Sequence, residues 1–466
     1  MLSYRKLAMR VLGRPLHTGG SIHRPASQRA AAFILTAAML TTLTAPAFAE
    51  TWYIENGDIT VKAGETEGTN KVSQGTNKDV VDTDTIIQNR DKNTASSNTV
   101  TIDAKDKDDK VEVTLKDVNI DASSRSEAAV SVTGKGDTTI ELDGDNELKS
   151  GAGHAGLEHN KTDTSGELTI QDKDNNGSLE AAGGFKGAGI GSAGSNDAQV
   201  KITGGNITAT TSDDWGAGIG SGSYGTGTVE ITGGEINATG GYLGAGIGGG
   251  CNGSGNVTIS GGTITAAGSD GAAGIGGGYY NGATVTITGD AVIKNASSTK
   301  YGAGIGGGNG SDGNVTISGN AKIENATGGY GAAGIGGGAF SSPDKIGNGN
   351  VVIKDNAKID NVQGGAYGAG IGGGIYGLSN VTIEGNTKVN ATGGAGGAAI
   401  GGGAGAENNS DNNGNQITIK SNENGSPTIN AVGGGTDEGE KIVIGGAGIG
   451  AGCESNADAD ITLEAK

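Results

Sequence analysis

The fold is decided by a stretch that reads VTISGGTITAAGSDGAAGIGGGYYNGAT, residues 257–284. It contains three short aliphatic segments, at 257–259, 263–265 and 273–275, which alternate with period two as short strands do. Turns rich in Gly and Asn separate them, and these residues supply the positive φ that tight turns need. No helical pattern follows any of the segments. The stretch therefore predicts three short strands joined by tight turns.

The same stretch recurs along the chain. The central aliphatic residue of its first segment falls at positions 202, 231, 259, 287, 317, 353, 383 and 419, and weaker copies continue the frame at Leu115, Leu142, Ile170 and Leu463. Three strands per repeat, stacked ~4.8 Å apart, make one coil of a three-faced parallel β-helix. The prediction is an all-β solenoid of about twelve coils over residues 105–466, with residues 50–104 as an N-terminal cap and first coil.

Three columns of isoleucine are expected to point into this solenoid. The first contains Ile202, Ile231, Ile259, Ile287 and Ile317, the second Ile207, Ile236, Ile264 and Ile323, and the third Ile190, Ile219, Ile247, Ile305 and Ile335. The turn after the first column carries Gly205, Gly234, Gly262, Asp290, Asn320, Asn356, Asn386 and Asn422. These residue types tolerate a left-handed backbone, and stacked Asn side chains can bond along the axis.

Composition excludes several protein classes. The chain has 95 Gly and 5 Pro in 466 residues, without the strict Gly-X-Y period of collagen. Regularly spaced Ile and Val argue against a disordered linker. A helical enzyme is excluded as well, because each Gly inside a helix costs about 1 kcal/mol relative to Ala.

Residues 1–49 predict a secretory signal peptide. They contain six Lys or Arg and no Asp or Glu, an apolar run at 30–43, and an Ala-Phe-Ala site at 47–49. The remaining chain keeps 51 acidic and 26 basic residues, a net charge of −25, which repels nucleic acid and anionic lipid. No second apolar run follows. We therefore expect a secreted protein, extracellular or at the cell surface, with no membrane span after signal removal and no nucleic-acid partner.

The tandem GAGIGGG and VTISGGTITA blocks, together with an Ala-Gly-Leu segment at 155–157, resemble a family of secreted bacterial, Gly-rich parallel β-helix proteins. That family includes carbohydrate-binding modules and adhesin-like surface proteins, and the resemblance covers residues ~99–466. It implies a right-handed β-helix similar to pectate lyases, which binds acidic or cellulosic polysaccharide, with calcium in some members. We expect no cofactor, although the resemblance leaves calcium binding open.

Signals of catalysis and metal binding are weak. The G-x-G-x-x-G match at 244–249 has no helix after it, and residues 307–312 resemble one isolated calcium-binding nonapeptide. His154 and His159 are five apart, which places them on opposite faces of a strand, so we interpret them as two solvated side chains. Arg125 is interpreted as a surface residue rather than a proton acceptor. The chain is therefore expected not to be an enzyme.

The two cysteines occupy the same place in two different coils. Cys251 and Cys453 each follow a Gly-Ala-Gly-Ile-Gly pentad, and the intervening coils separate them by about 30 Å along the axis. A disulfide needs Cα atoms within about 7 Å, so both thiols are expected to be free.

The candidate binding residues are aromatic and flank the pentads. Of the 13 aromatic residues after residue 49, 11 lie just before or just after a pentad. Since Ala and Ile of the pentad should point inward, its glycines should form an open floor between two aromatic edges. Sugar C–H faces stack on aromatic rings, so we expect a carbohydrate site there. Its predicted residues are Trp215, Tyr242, Tyr301, Tyr330, Tyr367, Tyr224, Tyr279 and Tyr376.

The leading functional hypothesis is non-catalytic binding of extracellular polysaccharide or a cell-surface glycan, as in adhesion. A polysaccharide lyase or glycosidase is the first alternative, and it would need clustered acids on one face. A structural role is the second, in which the rings only cap turns or the bare backbone of the pentads supports self-association. Ice binding is a third, because Thr258, Thr286, Thr316, Thr382 and Thr418 form a column that Lys201, Glu230 and Val352 interrupt.

Overall fold

A computed structural model describes residues 50–211, 215–340, 345–407, 414–435 and 445–464. The predicted signal peptide at 1–49 lies outside the described residues. The described chain is almost entirely β-structure, and its one short helix is the 3₁₀ turn Ile54–Asn56. None of the described helical residues forms a segment long and apolar enough to cross a membrane.

The strands stack in three columns, and each column is one face of a parallel β-helix. The first face takes the strand that contains the Val-x-Ile motif of each coil. Its strands are Thr51–Tyr53, Ile86–Gln88, Lys110–Lys116, Asp137–Asp143, Leu168–Gln171, Asp197–Ile202, Gly227–Ile231, Gly255–Ile259, Ala283–Ile287, Gly313–Ile317, Gly349–Ile353, Ser379–Glu384, Asn415–Lys420 and Ala459–Glu464.

The second face follows one turn later and carries strands from eleven successive coils, close to the predicted number. Parallel pairing joins each strand to its equivalent in the next coil. Its strands are Asn119–Asp121, Asp145–Lys149, Ser178–Gly183, Asn206–Thr211, Glu235–Thr239, Thr263–Asp270, Val292–Lys300, Lys322–Ile323 with Ala326–Thr327, Lys358–Gln363, Lys388–Thr392 and Thr428–Val432.

The third face contains the pentads, where each strand shortens to two residues. Its strands are Ile59–Ala63, Asn70–Gln74, Asn77–Asp82, Val100–Ala104, Val130–Gly134, Leu157–Lys161, Ile190–Gly191, Ile219–Gly220, Ile247–Gly248, Ile275–Gly276, Ile305–Gly306, Ile335–Gly336, Ile371–Gly372, Ile400–Gly401 and Ile449–Gly450. Asn70–Gln74 and Asn77–Asp82 are antiparallel additions to this face near the N-terminal end.

The three predicted isoleucine columns are confirmed. Ile259 pairs with Ile231 on one side and Ile287 on the other, and Ile236 and Ile247 sit in equivalent ladders on the other faces. All five side chains are fully buried. Each coil therefore adds a buried aliphatic side chain on each face to a single continuous core.

One part of the predicted frame is wrong by two residues. Ile170 pairs with Ile140, whereas Leu142 pairs with Leu115. Side chains alternate with period two, so a shift of two residues leaves the same set of side chains inside and the sequence pattern cannot detect it.

The turn after the first column differs from the prediction in a second way. Asn320 donates to Asp290 at 3.0 Å and Asn356 donates to Asn320 at 3.3 Å, which confirms a hydrogen-bonded stack. The left-handed residue in these coils, however, is the preceding one, such as Gly289 at φ 60° or Gly319 at φ 66°. The Asn column is thus free to bond along the axis without adopting a strained backbone.

The two cysteines are free and lie in equivalent loops of the third face, as predicted. The loop of Cys251 follows Ile247–Gly248 and that of Cys453 follows Ile449–Gly450, and the pairing passes through several coils between them. Burial raises the pKa of Cys251 to about 11 and also raises the pKa of Cys453.

We expect a thiol titration to find two free thiols in the denatured, non-reduced monomer. In the native protein at pH 8, Cys251 should react much more slowly than Cys453, because a raised pKa keeps it protonated and it is only 3% exposed. The end point of the reaction with a thiol reagent in denaturant gives the number of free thiols, and its time course in the native protein gives the two rates. A denatured monomer with no free thiol would contradict the coil register.

Candidate functional site

The pentad is a tightly enclosed element, not an open floor. Its last glycine has a φ of about 130–142° in successive coils, a region closed to other residues, and a Cβ on Gly248 would collide with the carbonyl oxygen of Gly276 in the next coil. Gly244, Gly246 and Gly248 are all buried. The predicted open Gly floor is therefore wrong.

The loops on the two sides of the pentads meet. We call the residues immediately before a pentad its leading loop and those immediately after it its trailing loop. Cys251, in a trailing loop, donates its amide to the Trp215 carbonyl in the leading loop one coil earlier, at 2.6 Å. Tyr279 donates to Leu243 at 3.1 Å and Ala339 to Tyr301 at 2.7 Å in the same way. The two loop columns thus form one surface along the axis.

Each loop column requires one residue in the left-handed region, and the occupant of that place varies from coil to coil. Trp215, Tyr301 and Tyr367 hold it in three leading loops, with φ of 37°, 61° and 74°. Lys186 and Leu243 hold it in two others, and Gly271, Gly331 and Gly396 in three more. Trailing loops show the same exchange. There the place belongs to Ser195, Tyr224, Asn252, Tyr280 and Tyr376 in some coils and to Gly310 and Gly405 in others.

The aromatic rings line this surface in two groups of contacts. We call the rings on the leading and trailing loops together the aromatic strip. In leading loops Tyr330 stands between Tyr301 and Tyr367, with ring centroids 6.2 and 5.7 Å away, and Phe185 contacts Trp215 at 5.8 Å. Four rings of the strip are strongly exposed, namely Phe185 at 41%, Tyr224 at 58%, Tyr242 at 48% and Tyr330 at 53%.

The trailing loops carry a denser cluster. Tyr279 and Tyr280 lie with centroids 3.8 Å apart, the Tyr279 hydroxyl donates to that of Tyr280 at 2.7 Å, and Phe340 approaches Tyr280 at 5.6 Å. Burial and the hydrogen bond to Tyr280 raise the pKa of Tyr279, so its hydroxyl stays protonated at neutral pH. Tyr376 stands apart in this column, beside Gly405.

Lysines on the strip escaped the sequence analysis. The Lys345 ammonium lies 3.8 Å from the Tyr280 ring centroid, that of Lys300 lies 4.9 Å from Tyr301, and that of Lys186 lies between Phe185 and Trp215 at 5.1 and 5.2 Å. These are cation–π contacts, and the Lys300 ammonium also pairs with Asp270 at 3.5 Å. Two of these three lysines could have been found from the sequence, because Lys186 follows Phe185 and Lys300 precedes Tyr301.

The weaker candidates have structural partners. Arg125 pairs with Asp58 at 3.0 Å and also with Glu127, as a surface arginine would. His154 approaches Glu158 at 2.8 Å. His159 is 2% exposed and its Nδ1 lies 3.0 Å from the Gln199 carbonyl, so the prediction that both histidines are solvated is wrong for His159. Burial lowers the pKa of His159.

The segment 307–312, which resembles part of a calcium-binding nonapeptide, belongs to a trailing loop. The backbone amide of Asn309 donates to the Gly271 carbonyl, and the Asp312 carboxylate accepts the backbone amide of Asn348 at 2.8 Å. Within the described ranges, no group of three or more His, Cys, Asp or Glu is placed to hold a metal ion. The calcium expectation gains no support from these contacts.

A polar cleft of about 530 Å³ lies on the first face near the N-terminal end, away from the aromatic strip. Three of its carboxylates have partners. Glu112 pairs with Lys173, Glu167 pairs with Lys201 at 3.7 Å, and Asp137 accepts the backbone amide of Glu167 at 2.9 Å. Asp84 and Glu67 complete its acidic lining.

Comparison with protein families gives one match. The β-helix repeat family model matches residues 200–223, 229–251, 257–279 and 315–339, and each match starts at a first-face strand and ends in the trailing loop of the same coil. Neither curated proteins nor solved structures give a match to this chain. The repeats and the three stacked faces together show that the chain is a parallel β-helix repeat protein.

Proposed function

We propose that this protein is a secreted, non-catalytic binding protein for extracellular polysaccharide or a cell-surface glycan, and that the aromatic strip is its binding surface. One observation carries the proposal. Trp215, Tyr301 and Tyr367 occupy left-handed positions that Gly271, Gly331 and Gly396 hold in other coils, where Lys186 and Leu243 are the two further side chains. A side chain in that conformation costs about 1 kcal/mol or more, and three of the five side chains that bear this cost are aromatic rings.

The spacing of the strip suits a chain of sugars. Coils rise by ~4.8 Å, close to the length of one sugar unit of about 5 Å, so a glycan lying along the axis can meet one coil per unit. Its C–H faces would stack on rings such as Tyr330, and its hydroxyl or carboxylate groups would accept hydrogen bonds from Lys186, Lys300 and Lys345. Because the chain without its signal carries a net charge of −25, these lysines matter most for acidic glycans.

Affinity electrophoresis tests the proposal. We expect native gels cast with polygalacturonate, alginate, xyloglucan or hydroxyethylcellulose to retard the protein in at least one case, relative to a gel without polysaccharide. Adding EDTA to the retarding gel should leave migration unchanged if no calcium takes part. Unaltered mobility in all four gels would contradict the proposal.

Catalysis is the competing function, and the polar cleft is where it would reside. Glycoside hydrolysis needs two carboxyl groups free to donate a proton and to attack or activate water. Glu112, Asp137 and Glu167 are occupied by lysines or by a backbone amide, which leaves Glu67 and Asp84 as the acids of the cleft that such a reaction could use. We propose a binding role because none of these carboxyl groups lies on the aromatic strip, where a glycan would stack. Release of reducing ends or unsaturated products from a bound polysaccharide would overturn the non-catalytic part of the proposal.

A further inference from the structure

A groove of about 440 Å³ opens beside the first exposed ring of the aromatic strip. It lies at the corner where the second face meets the leading loops. Its lining includes Ser123, Lys149, Ala182, Gly184, Phe185 and Thr210. The volume falls in the range of pockets that hold small ligands.

Beside the groove a small residue interrupts a column of larger ones. Lys149, Ala182 and Thr210 are register partners on successive strands of the second face, and all three point outward. The methyl of Ala182 leaves a depression between its two neighbours. Gly184 closes the floor, and it must be glycine because a Cβ there would collide with the Gly151 carbonyl.

The lining of the groove is part apolar and part polar. The apolar part is Phe185, 41% exposed, with the Lys186 ammonium 5.1 Å from its ring centroid. The polar lining flanks Ala182 along the axis, with the Thr210 hydroxyl one coil beyond it, the Lys149 ammonium, which pairs with Asp121 at 3.3 Å, one coil before it, and Ser123 two coils before it. The neighbouring Thr211 hydroxyl is buried and has no hydrogen-bond partner among the described residues.

From this arrangement we infer that the groove is a sugar subsite, which holds one pyranose unit of the polysaccharide that the strip binds. The inference rests on the proposed function. An apolar C–H face packs on Phe185, while hydroxyls bond to Thr210 on one flank of Ala182 and to Lys149 on the other. A lipid chain would leave the Thr210 hydroxyl without a partner, whereas a pyranose satisfies the apolar and the polar lining.

Filling the groove tests the inference. Ala182→Leu puts a larger side chain on the floor, and Ala267→Leu is its matched control, because Ala267 lies in the same outward column two coils beyond Thr210. Affinity electrophoresis with whichever of the four polysaccharides retards the parent should show about tenfold weaker binding for Ala182→Leu and for Phe185→Ala. Ala267→Leu should bind as the parent does.

The outcomes separate this inference from the proposed function. Parent-like binding by a folded Ala182→Leu variant overturns the groove as a subsite, while the strip keeps its proposed role. Equal weakening by Ala182→Leu and Ala267→Leu also overturns it, because the effect would then belong to the second face in general. If none of the four polysaccharides retards the parent, both proposals fail.

Discussion

Replacing Ile259 with Asp is expected to lower the free energy of unfolding by more than about 4 kcal/mol. Ile259 is fully buried and stands between Ile231 and Ile287, which are buried as well. An aspartate there would place a carboxylate in an apolar column with no cation or hydrogen-bond donor beside it. Because each coil is held only by its neighbours, the damage should open the solenoid on both sides of this coil.

Urea unfolding followed by circular dichroism measures this effect. Thr258→Asp is the matched control, because Thr258 is the preceding residue of the same strand and is exposed on the outer side of the first face. A surface change of that kind should lower the free energy of unfolding by no more than about 1 kcal/mol, most of it from the like charge of its register partner Glu230. Equal stability of the two aspartate variants would mean that the isoleucine column is not internal.

The core could be predicted from sequence because the solenoid repeats the same contact in every coil. Once Ile231 and Ile259 are aligned by the repeat, their pairing follows, and the structure has that pairing. The error at Ile140 and Ile170 shows the limit of the method. In the weaker coils the alternation alone sets the frame, and period two permits slips of two residues.

The site was less accessible to sequence reasoning. The rings before and after the pentads could be found from their spacing, but the closure of the loops could not. The contact between Cys251 and Trp215 joins the trailing loop of one coil to the leading loop of the coil before it, a relation that no periodicity expresses. The burial of the pentads and the groove beside Phe185 likewise depend on contacts between coils. The burial of His159 could have been predicted, because Leu157 lies two residues earlier on the same strand and is also buried.

The second large effect concerns binding. Replacing Trp215, Tyr301 and Tyr367 together with Ala should weaken binding of the retarding polysaccharide by about 100-fold, since each lost ring contact removes about 1 kcal/mol and an extended glycan meets all three. The structure supports the choice of these residues, because all three hold the same left-handed place before a pentad. Tyr301 and Tyr367 also flank the exposed Tyr330.

The triple variant should stay folded. Alanine has a Cβ, as Trp and Tyr do, so the left-handed position is no more strained than before, and the rings are loop residues outside the isoleucine core. Circular dichroism and urea unfolding verify this, and changing Thr258, Thr286 and Thr316 to Ser provides a control on the first face, where binding should hardly change. A folded triple variant that binds like its parent would show that the rings only brace the loops. In that case the left-handed strain would be offset by ring contacts such as Phe185 with Trp215, and the polysaccharide would have to bind elsewhere.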